Sequence, residues 1–261
     1  MLFEVVRRAA KSLGYDLVER MPELKPHLRS GLLRRTGFDT ILAAYLAGRN
    51  DFFFVQIGAH DGRMSDPLWE LVHRYRLRGV LVEPQEDLFR ALEANYAGQE
   101  QVRLVRAAIA SLDGTVTLYK ADPRFWREHR LPENVDTMIA SLDRNQIVKH
   151  VAQFGGRRLA AREDEYVAEE EVPALTISTL LARHGVDRLD FLQIDTEGFD
   201  FEIIKRIDFE RVVPRLLHFE HVHLSEQDRL ACWTLLRKRG YGLFATDGIN
   251  TLAVEETFGR D

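Results

Sequence analysis

The chain of 261 residues carries 36 basic and 41 acidic residues, a net charge of −5, and its hydrophobic fraction of 45% is typical of a soluble globular protein. This mildly acidic balance disfavours a nucleic-acid partner, and the single cysteine, Cys232, excludes a disulfide framework or a zinc site built from cysteines. No apolar run reaches the roughly 18 residues of a membrane span and the start of the chain lacks a signal-peptide pattern, so we expect a cytoplasmic protein.

The predicted elements divide into an N-terminal helical segment and an α/β domain. Apolar residues recur at helical spacing within residues 1–50, and we interpret this segment as a cap or lid that is not part of the sheet. In the domain, residues 51–261, strands are predicted at 52–57, 79–83, 102–109, 115–120, 189–194, 214–221, 240–246 and 249–254. Helices are predicted at 65–76, 85–97, 176–185, 198–206 and 226–239.

The order of these elements predicts the fold. Strands separated by helices of this length indicate parallel βαβ units, with helices on both faces of the sheet. The last two strands flank Asp247-Gly248, a turn signal typical of an antiparallel hairpin. A mostly parallel sheet closed by such a hairpin is the form of the Rossmann-like class I methyltransferases and not of the plain dinucleotide fold.

An insertion at about residues 122–172 interrupts the alternation. It is polar, contains Pro123 and Pro132, and ends in the acidic run between Glu163 and Glu171. We interpret residues 122–160 as a cover over the strand tips and residues 161–171 as a solvated connection.

A glycine loop follows the first strand of the domain. In Gly58-Ala59-His60-Asp61-Gly62, two glycines would let the backbone approach a ligand before a helix that starts near Ser65. The second strand ends in Glu83-Pro84, and a carboxylate there can accept hydrogen bonds from both hydroxyls of a ribose. The alternatives are that the glycines only form a turn and that Glu83 is a surface acid.

Acids also follow a later strand, in Asp195-Thr196-Glu197-Gly198. Ligands of open parallel sheets bind at the carboxyl ends of the strands, so we expect Asp195 and Glu197 to face the same crevice as Gly58 and Glu83. The alternative for Glu197 is a charge that is favoured at the start of a helix.

Three histidines and an acid stand at the end of the next strand. Strand alternation would place His218 and Glu220 on one side and His221 and His223 on the other. A histidine there can act as a general base, or the group can serve a structural role. Because the alternation divides the set between two faces, we predict no metal site.

These motifs together resemble the FkbM family of S-adenosylmethionine-dependent methyltransferases, over about residues 50–255. The matching segments are Ile57–Gly62, Val82-Glu83-Pro84, Ala107–Ala110 followed by Gly114, and Leu192–Phe199. The resemblance implies O-methylation of a hydroxyl on a sugar, glycan or natural product. It implies S-adenosyl-L-methionine as the cofactor and S-adenosyl-L-homocysteine as the product.

The resemblance also implies roles for single residues. The cofactor would be bound by Gln56, Gly58, Ala59, His60, Asp61, Gly62, Ser65, Glu83, Pro84, Ala108 and Asp195. As a separate hypothesis about mechanism, we expect Asp195 or His221 to accept the proton of the acceptor and Glu197 to hold a substrate hydroxyl. The acceptor pocket is expected to include Ser141, Arg144, Asn145, Glu220 and His223. Gln56 stands where the family usually has Asp, His60 where it has Asn, and Gln193 where it has Lys.

Two other functions compete with this one. An NAD-dependent oxidoreductase also needs a glycine loop and an acid, but the loop shape and the closing hairpin disfavour it. A catalytically inactive methyltransferase-like partner subunit would tolerate Gln56 and Gln193, whereas the retained Glu83, Asp195 and Glu197 disfavour it. The identity of the acceptor and a homodimeric state stay open.

Overall fold

The computed structural model of the protein describes residues 51–64, 66–129, 140–155 and 163–256, together with positions 34, 35, 38, 42, 45 and 46. The strands are β1 (Arg34–Arg35), β2 (Phe53–Ile57), β3 (Arg78–Val82), β4 (Val102–Val105), β5 (Ala108–Ile109), β6 (Gly114–Ala121), β7 (Ala140–Ser141), β8 (Val167–Leu175), β9 (Phe191–Ile194), β10 (Leu216–Glu220), β11 (Tyr241–Ala245) and β12 (Asn250–Glu255). The helices are α1 (Trp69–Tyr75), α2 (Glu86–Asn95), α3 (Pro123–His129), α4 (Arg144–Gly155), α5 (Ile177–Arg183), α6 (Asp200–Ile204) and α7 (Glu226–Lys238). Within these ranges, no helix is both long and apolar enough to cross a membrane.

Eight strands form one sheet in the order β1-β11-β12-β10-β9-β2-β3-β4. Strand β12 runs antiparallel to its neighbours β10 and β11, and the other neighbouring strands run parallel. Because Ile57 pairs with both Val82 and Ile194, the carboxyl ends of β2, β3 and β9 meet at one edge of the sheet. The predicted fold class, a mostly parallel sheet that ends in an antiparallel hairpin, is confirmed.

Helices cover both faces of this sheet, which is why most residues of its central strands are apolar, with Gln56 in β2 and Gln193 in β9 as exceptions. In β2, Val55 packs into a core that includes Leu180 of α5 and Trp233 of α7. The neighbouring Phe54 packs into a second core with Val72 of α1 and Leu92 of α2. Each such side chain contributes roughly 1.5–3 kcal/mol when it is fully buried, so the two cores hold the strand ends in place.

The N-terminal segment touches the sheet in two places. Strand β1 pairs in parallel with β11, so the expectation that this segment stays outside the sheet is wrong at Arg34–Arg35. Positions 38, 42, 45 and 46 are helical, and Tyr45 donates a hydrogen bond to the buried carboxylate of Asp190. The rest of the predicted cap lies outside the described residues.

A second sheet, in the order β5-β8-β6-β7, covers the strand tips. The strand predicted at 102–109 is divided, because β4 pairs with β3 while β5 pairs with β8. The prediction of a solvated connection over residues 161–171 is wrong, since β8 begins at Val167 and pairs with β6 along its length. The exposed acids Glu169 and Glu171 alternate with the half-buried Glu170 and the buried Val172, so the acidic run is one strand with a solvent-facing side.

Candidate functional site

The loop after β2 is built around a close approach between two strand ends. Gly58 has a φ of +78°, and a Cβ there would lie 1.7 Å from the carbonyl oxygen of Asp195, which follows β9. The backbone N–H groups of Gly58 and Ala59 both donate to the carbonyl of Val82 at 3.0 Å. Only glycine fits this position, so the residue does more than form a turn.

Glu83 is a buried acid with two fixed hydrogen bonds. It is 4% exposed, and its two oxygens accept the backbone N–H groups of His60 and Gln85, each at 3.0 Å. Burial raises its pKa to about 7, and the two N–H donors work against that rise. Each oxygen keeps a lone pair for a further donor, so the alternative of an ordinary surface acid is wrong.

A cleft of about 1020 Å³, counted with its solvent-filled mouth, lies over the ends of β2, β3 and β9. The predicted cofactor residues that line it are Gln56, Gly58, Ala59, His60, Glu83, Pro84, Ala108 and Asp195. Asp61 and Gly62 are not among the lining residues and shape the loop instead, since Asp61 accepts the N–H groups of Arg63 and Met64. Ser65 lies outside the described residues.

Asp66 also lines the cleft and was missed by the sequence motifs. Its Oδ1 accepts the N–H of Leu68 at 2.6 Å, and burial raises its pKa to about 6. The Oδ2 of Asp66 and the Oε1 of the neighbouring Gln56 are buried and have no hydrogen-bond partner among the described residues. Two acceptors without donors at the wall of a cleft suit a ligand that brings N–H groups.

Beside this cleft, the structure brings together five ionisable side chains. They form two groups that share Glu197, one with His150 and His223 and the other with Asp195 and Glu220. The Oε2 of Glu197 lies 3.1 Å from the Nε2 of His223 and 3.9 Å from the Nε2 of His150. The Nε2 of His223 lies 3.4 Å from the Oε2 of Glu220. The carboxylates of Asp195, Glu197 and Glu220 lie within 4.8 Å of one another.

These groups perturb one another strongly. Asp195 opens onto the cleft, yet desolvation raises its pKa, and the negative charges of Asp200 and Glu197 raise it further. Burial lowers the pKa of His223, but its hydrogen bond with Glu197 and the charges of Asp200 and Asp195 outweigh burial, so the net shift is upward. The cluster therefore holds more carboxyl groups than imidazoles, and their mutual repulsion favours protonation of the carboxyl groups and of His223.

The insertion holds the cluster in place. Glu197 and Gly198 have φ values of +52° and +100°, and a Cβ on Gly198 would lie 2.7 Å from the Nε2 of Gln146 in α4. Ser141 donates to the carbonyl of Glu197 at 2.9 Å, and Gln146 donates to the carbonyl of His223 at 2.9 Å. Ser141, predicted in the acceptor pocket, lines the cleft.

The other two residues predicted from the insertion do not line the cleft. Arg144 pairs with Asp164 at 2.5 Å, and Asn145 is exposed. The buried face of α4 instead presents Gln146 and His150, one turn apart. The spacing of buried positions on an amphipathic helix would have favoured His150 over Arg144 and Asn145.

His221 is not part of the site. It is 1% exposed, shares a hydrogen bond with Thr251 at 3.0 Å, and packs its ring against Trp233. Because β10 ends at Glu220, strand alternation does not continue into the next residues, and the turn brings His223 back beside Glu220. The prediction of His221 as proton acceptor is therefore wrong. The predicted separation of Glu220 and His223 onto opposite sides of the strand, which argued against a metal site, is also wrong. His218 is equally buried, and its Nδ1 is 2.7 Å from the Oε1 of Gln193.

Comparisons with known proteins bear on what this cleft does. The sequence model of the family described as Methyltransferase FkbM domain matches residues 56–243. No curated protein matches the chain.

Solved structures similar to this one include three methyltransferase-like or RNA-processing proteins. Methyltransferase FkbM from Methylobacillus flagellatus KT has 13% identity and a TM-score of 0.46, over 84% of this chain and 48% of that one. The Methanococcus jannaschii fibrillarin pre-rRNA processing protein has 8% identity and a TM-score of 0.39, over 80% and 68%. The ribosomal protein L11 methylase from Lactobacillus delbrueckii subsp. bulgaricus has 9% identity and a TM-score of 0.38, over 82% and 75%. The chain spans about half the length of the first of these proteins.

Proposed function

Because the chain belongs to the FkbM family of S-adenosylmethionine-dependent methyltransferases, we propose that it methylates a hydroxyl of a sugar, glycan or natural product. The observation that carries the proposal is Glu83, a buried carboxylate that is held by two N–H groups beside the glycine loop. Its remaining lone pairs suit the two adjacent hydroxyls of a ribose.

The residues of the cleft fit the rest of that cofactor. When bound, S-adenosylmethionine supplies an electrophilic methyl group on a sulfonium. Ala107, Ala108, Ile109 and Leu118 give the cleft an apolar wall for the adenine ring. Gly58 and Ala59 line the part nearest Asp195, where we place the methionine moiety.

Asp66 supplies a charge that the loop lacks at Gln56. We infer that its Oδ2 and the Oε1 of Gln56 accept the ammonium of the methionine moiety, since both are buried acceptors without donors among the described residues. This pair supports an active enzyme over a catalytically inactive partner subunit, because the cleft keeps a carboxylate for the ammonium.

The transfer itself needs an acceptor oxygen aligned with the methyl group and freed of its proton. We assign proton acceptance to Asp195, because its carboxylate opens onto the cleft at the tip of β9. We assign Glu197, which lines the same cleft, to hold a hydroxyl of the acceptor.

Calorimetric titration with S-adenosylhomocysteine tests the cofactor site. We expect micromolar binding to the wild type and a loss of about 10- to 100-fold in Glu83→Gln, because hydrogen bonds to a charged group are worth about 1.5–3 kcal/mol. Glu93→Gln is the matched control, since Glu93 is exposed on α2. Absence of binding by well-folded wild type, or equal binding by Glu83→Gln, would contradict the proposal.

A further inference from the structure

We propose that Glu197, Glu220, His223 and His150 form a binding site for one divalent transition-metal ion beside the cofactor cleft. The site is built from the tips of β9 and β10 and from the inner face of α4. Metal binding at this site does not depend on the proposed methyl transfer, whereas the catalytic use argued below rests on it.

The spacing of the ligand atoms suits a metal. Ligands that each lie about 2.1 Å from one ion stand roughly 3.0 Å apart at right angles and roughly 3.4 Å apart in a tetrahedron. The Nε2 of His223 lies 3.1 Å from Glu197 and 3.4 Å from Glu220, within that range. His150 lies 3.9 Å from Glu197, so its ring would move by about half an ångström to reach the same ion.

Glu220 provides an independent indication of a missing cation. The residue is 8% exposed, and its Oε2 has no hydrogen-bond partner among the residues that the structure describes, although this atom faces His223. A buried carboxylate oxygen without a hydrogen bond is costly while the group is charged, and such a group pairs, coordinates a metal or takes up a proton. The nearby carboxylates of Asp195 and Asp200 add to that cost.

The competing explanation is that a protonated His223 alone neutralises the cluster. It would set one positive charge against Glu197 and Glu220, with Asp195 within 4.8 Å of both. A divalent ion supplies two charges and can satisfy the free oxygen of Glu220 at the same time. The two explanations differ in one respect, since only the second predicts that an added ion binds stoichiometrically.

The surroundings hold the ligands ready. Gln146 fixes the backbone of His223, and Ser141 fixes the backbone of Glu197. Glu197 keeps a left-handed φ of +52°, which is unfavourable for a residue with a Cβ and is typical of strained functional positions. Such outer contacts orient metal ligands in known sites.

The ligand set also limits which ion would bind. Imidazole ligands suit zinc, iron and copper, whereas magnesium and calcium prefer sites made of oxygens. We therefore expect Zn²⁺ to bind most tightly, and Mn²⁺, which accepts both oxygen and imidazole ligands, to bind less tightly than Zn²⁺ but more tightly than Mg²⁺. Glu197 lines the cleft and His223 is only partly buried, so an open coordination position would face the acceptor. A hydroxyl bound there loses its proton more easily.

The test uses the full chain after treatment with a chelator. Mn²⁺ is added, and the free ion is followed by electron paramagnetic resonance, with Zn²⁺ and Mg²⁺ as competitors. We expect one Mn²⁺ per chain, displaced readily by Zn²⁺ and poorly by Mg²⁺, and at least tenfold weaker binding in both Glu220→Gln and His223→Gln. His184→Gln is the control, because His184 lies near the opposite end of the sheet beside Arg78.

Two results would overturn the proposal. One is an absence of Mn²⁺ and Zn²⁺ binding to folded wild type, and the other is unchanged binding in both variants, which would locate the ion elsewhere. Titration of the same samples with S-adenosylhomocysteine separates this proposal from the cofactor assignment. Metal binding without cofactor binding would contradict only the proposed function, and cofactor binding without metal binding would contradict only the metal site.

Discussion

The close contact between Gly58 and the end of β9 predicts a large loss of stability in Gly58→Ala. Gly98, which has a similar backbone conformation, provides the control variant. In Gly58→Ala, the new Cβ would lie 1.7 Å from the carbonyl oxygen of Asp195, which is less than half of a normal contact distance, so one strand end must move. Overpacking of this kind costs about 1–3 kcal/mol, and a left-handed φ costs alanine about 1–2 kcal/mol more. We expect the free energy of unfolding to fall by about 3–4 kcal/mol.

Gly98→Ala isolates the backbone contribution. Gly98 has a φ of +82°, close to the +78° of Gly58, but a Cβ there would meet no atom within 4 Å. In Gly98→Ala, the free energy of unfolding should fall by only about 1 kcal/mol, as measured by denaturant unfolding curves whose slope is unchanged. S-adenosylhomocysteine binding should weaken only in Gly58→Ala, because the glycine loop that lines the cleft must shift. Equal losses of stability in the two variants would refute the argument that the strand ends are in steric contact.

Four further outcomes are expected. Burial raises the pKa of Glu83 to about 7 from an ordinary value of 4.5, so the folded state holds an extra proton between these values and stability falls as the pH rises through that range. Unfolding curves at pH 5 and pH 8 should show that the free energy of unfolding decreases less in Glu83→Gln than in the wild type, by up to about 3 kcal/mol. Asp66→Asn should weaken S-adenosylhomocysteine binding about tenfold or more in calorimetry, by loss of a charged acceptor. Asp195→Asn should lower turnover of a hydroxylated acceptor by about 100-fold or more without loss of cofactor binding. His221→Gln should lower the melting temperature but leave the turnover of the folded enzyme unchanged, since His221 lies in the core.

The central sheet and the glycine loop could be predicted because their signals are local. An apolar strand, two glycines and a helix follow one another in sequence, and Glu83 ends the next strand. The parallel pairing of β2 with β3 and β9 then determines that Gly58, Glu83 and Asp195 share an edge. Burial of both faces leaves little freedom in this register, because a shift would expose apolar side chains.

The remaining parts of the site depend on contacts between distant segments. Local alternation places His221 beside His223 only if β10 continues, but the strand stops at Glu220. Which face of α4 turns inward depends on its packing in the second sheet, and so His150 was missed. The acidic run of β8 predicted a loop, although Glu169 and Glu171 are the exposed side of a strand that pairs with β6.

One short turn connects the cleft with the cluster of acids and histidines. The carbonyl of Asp195 contacts Gly58, while the carbonyl of Glu197, two residues later, accepts a hydrogen bond from Ser141. Because Glu197 and Gly198 both have left-handed φ values, the chain makes a tight turn directly after β9. The turn keeps the carboxylates of Asp195 and Glu197 at the wall of one cleft. The glycine loop and the insertion therefore both contact the same short segment, residues 195–198.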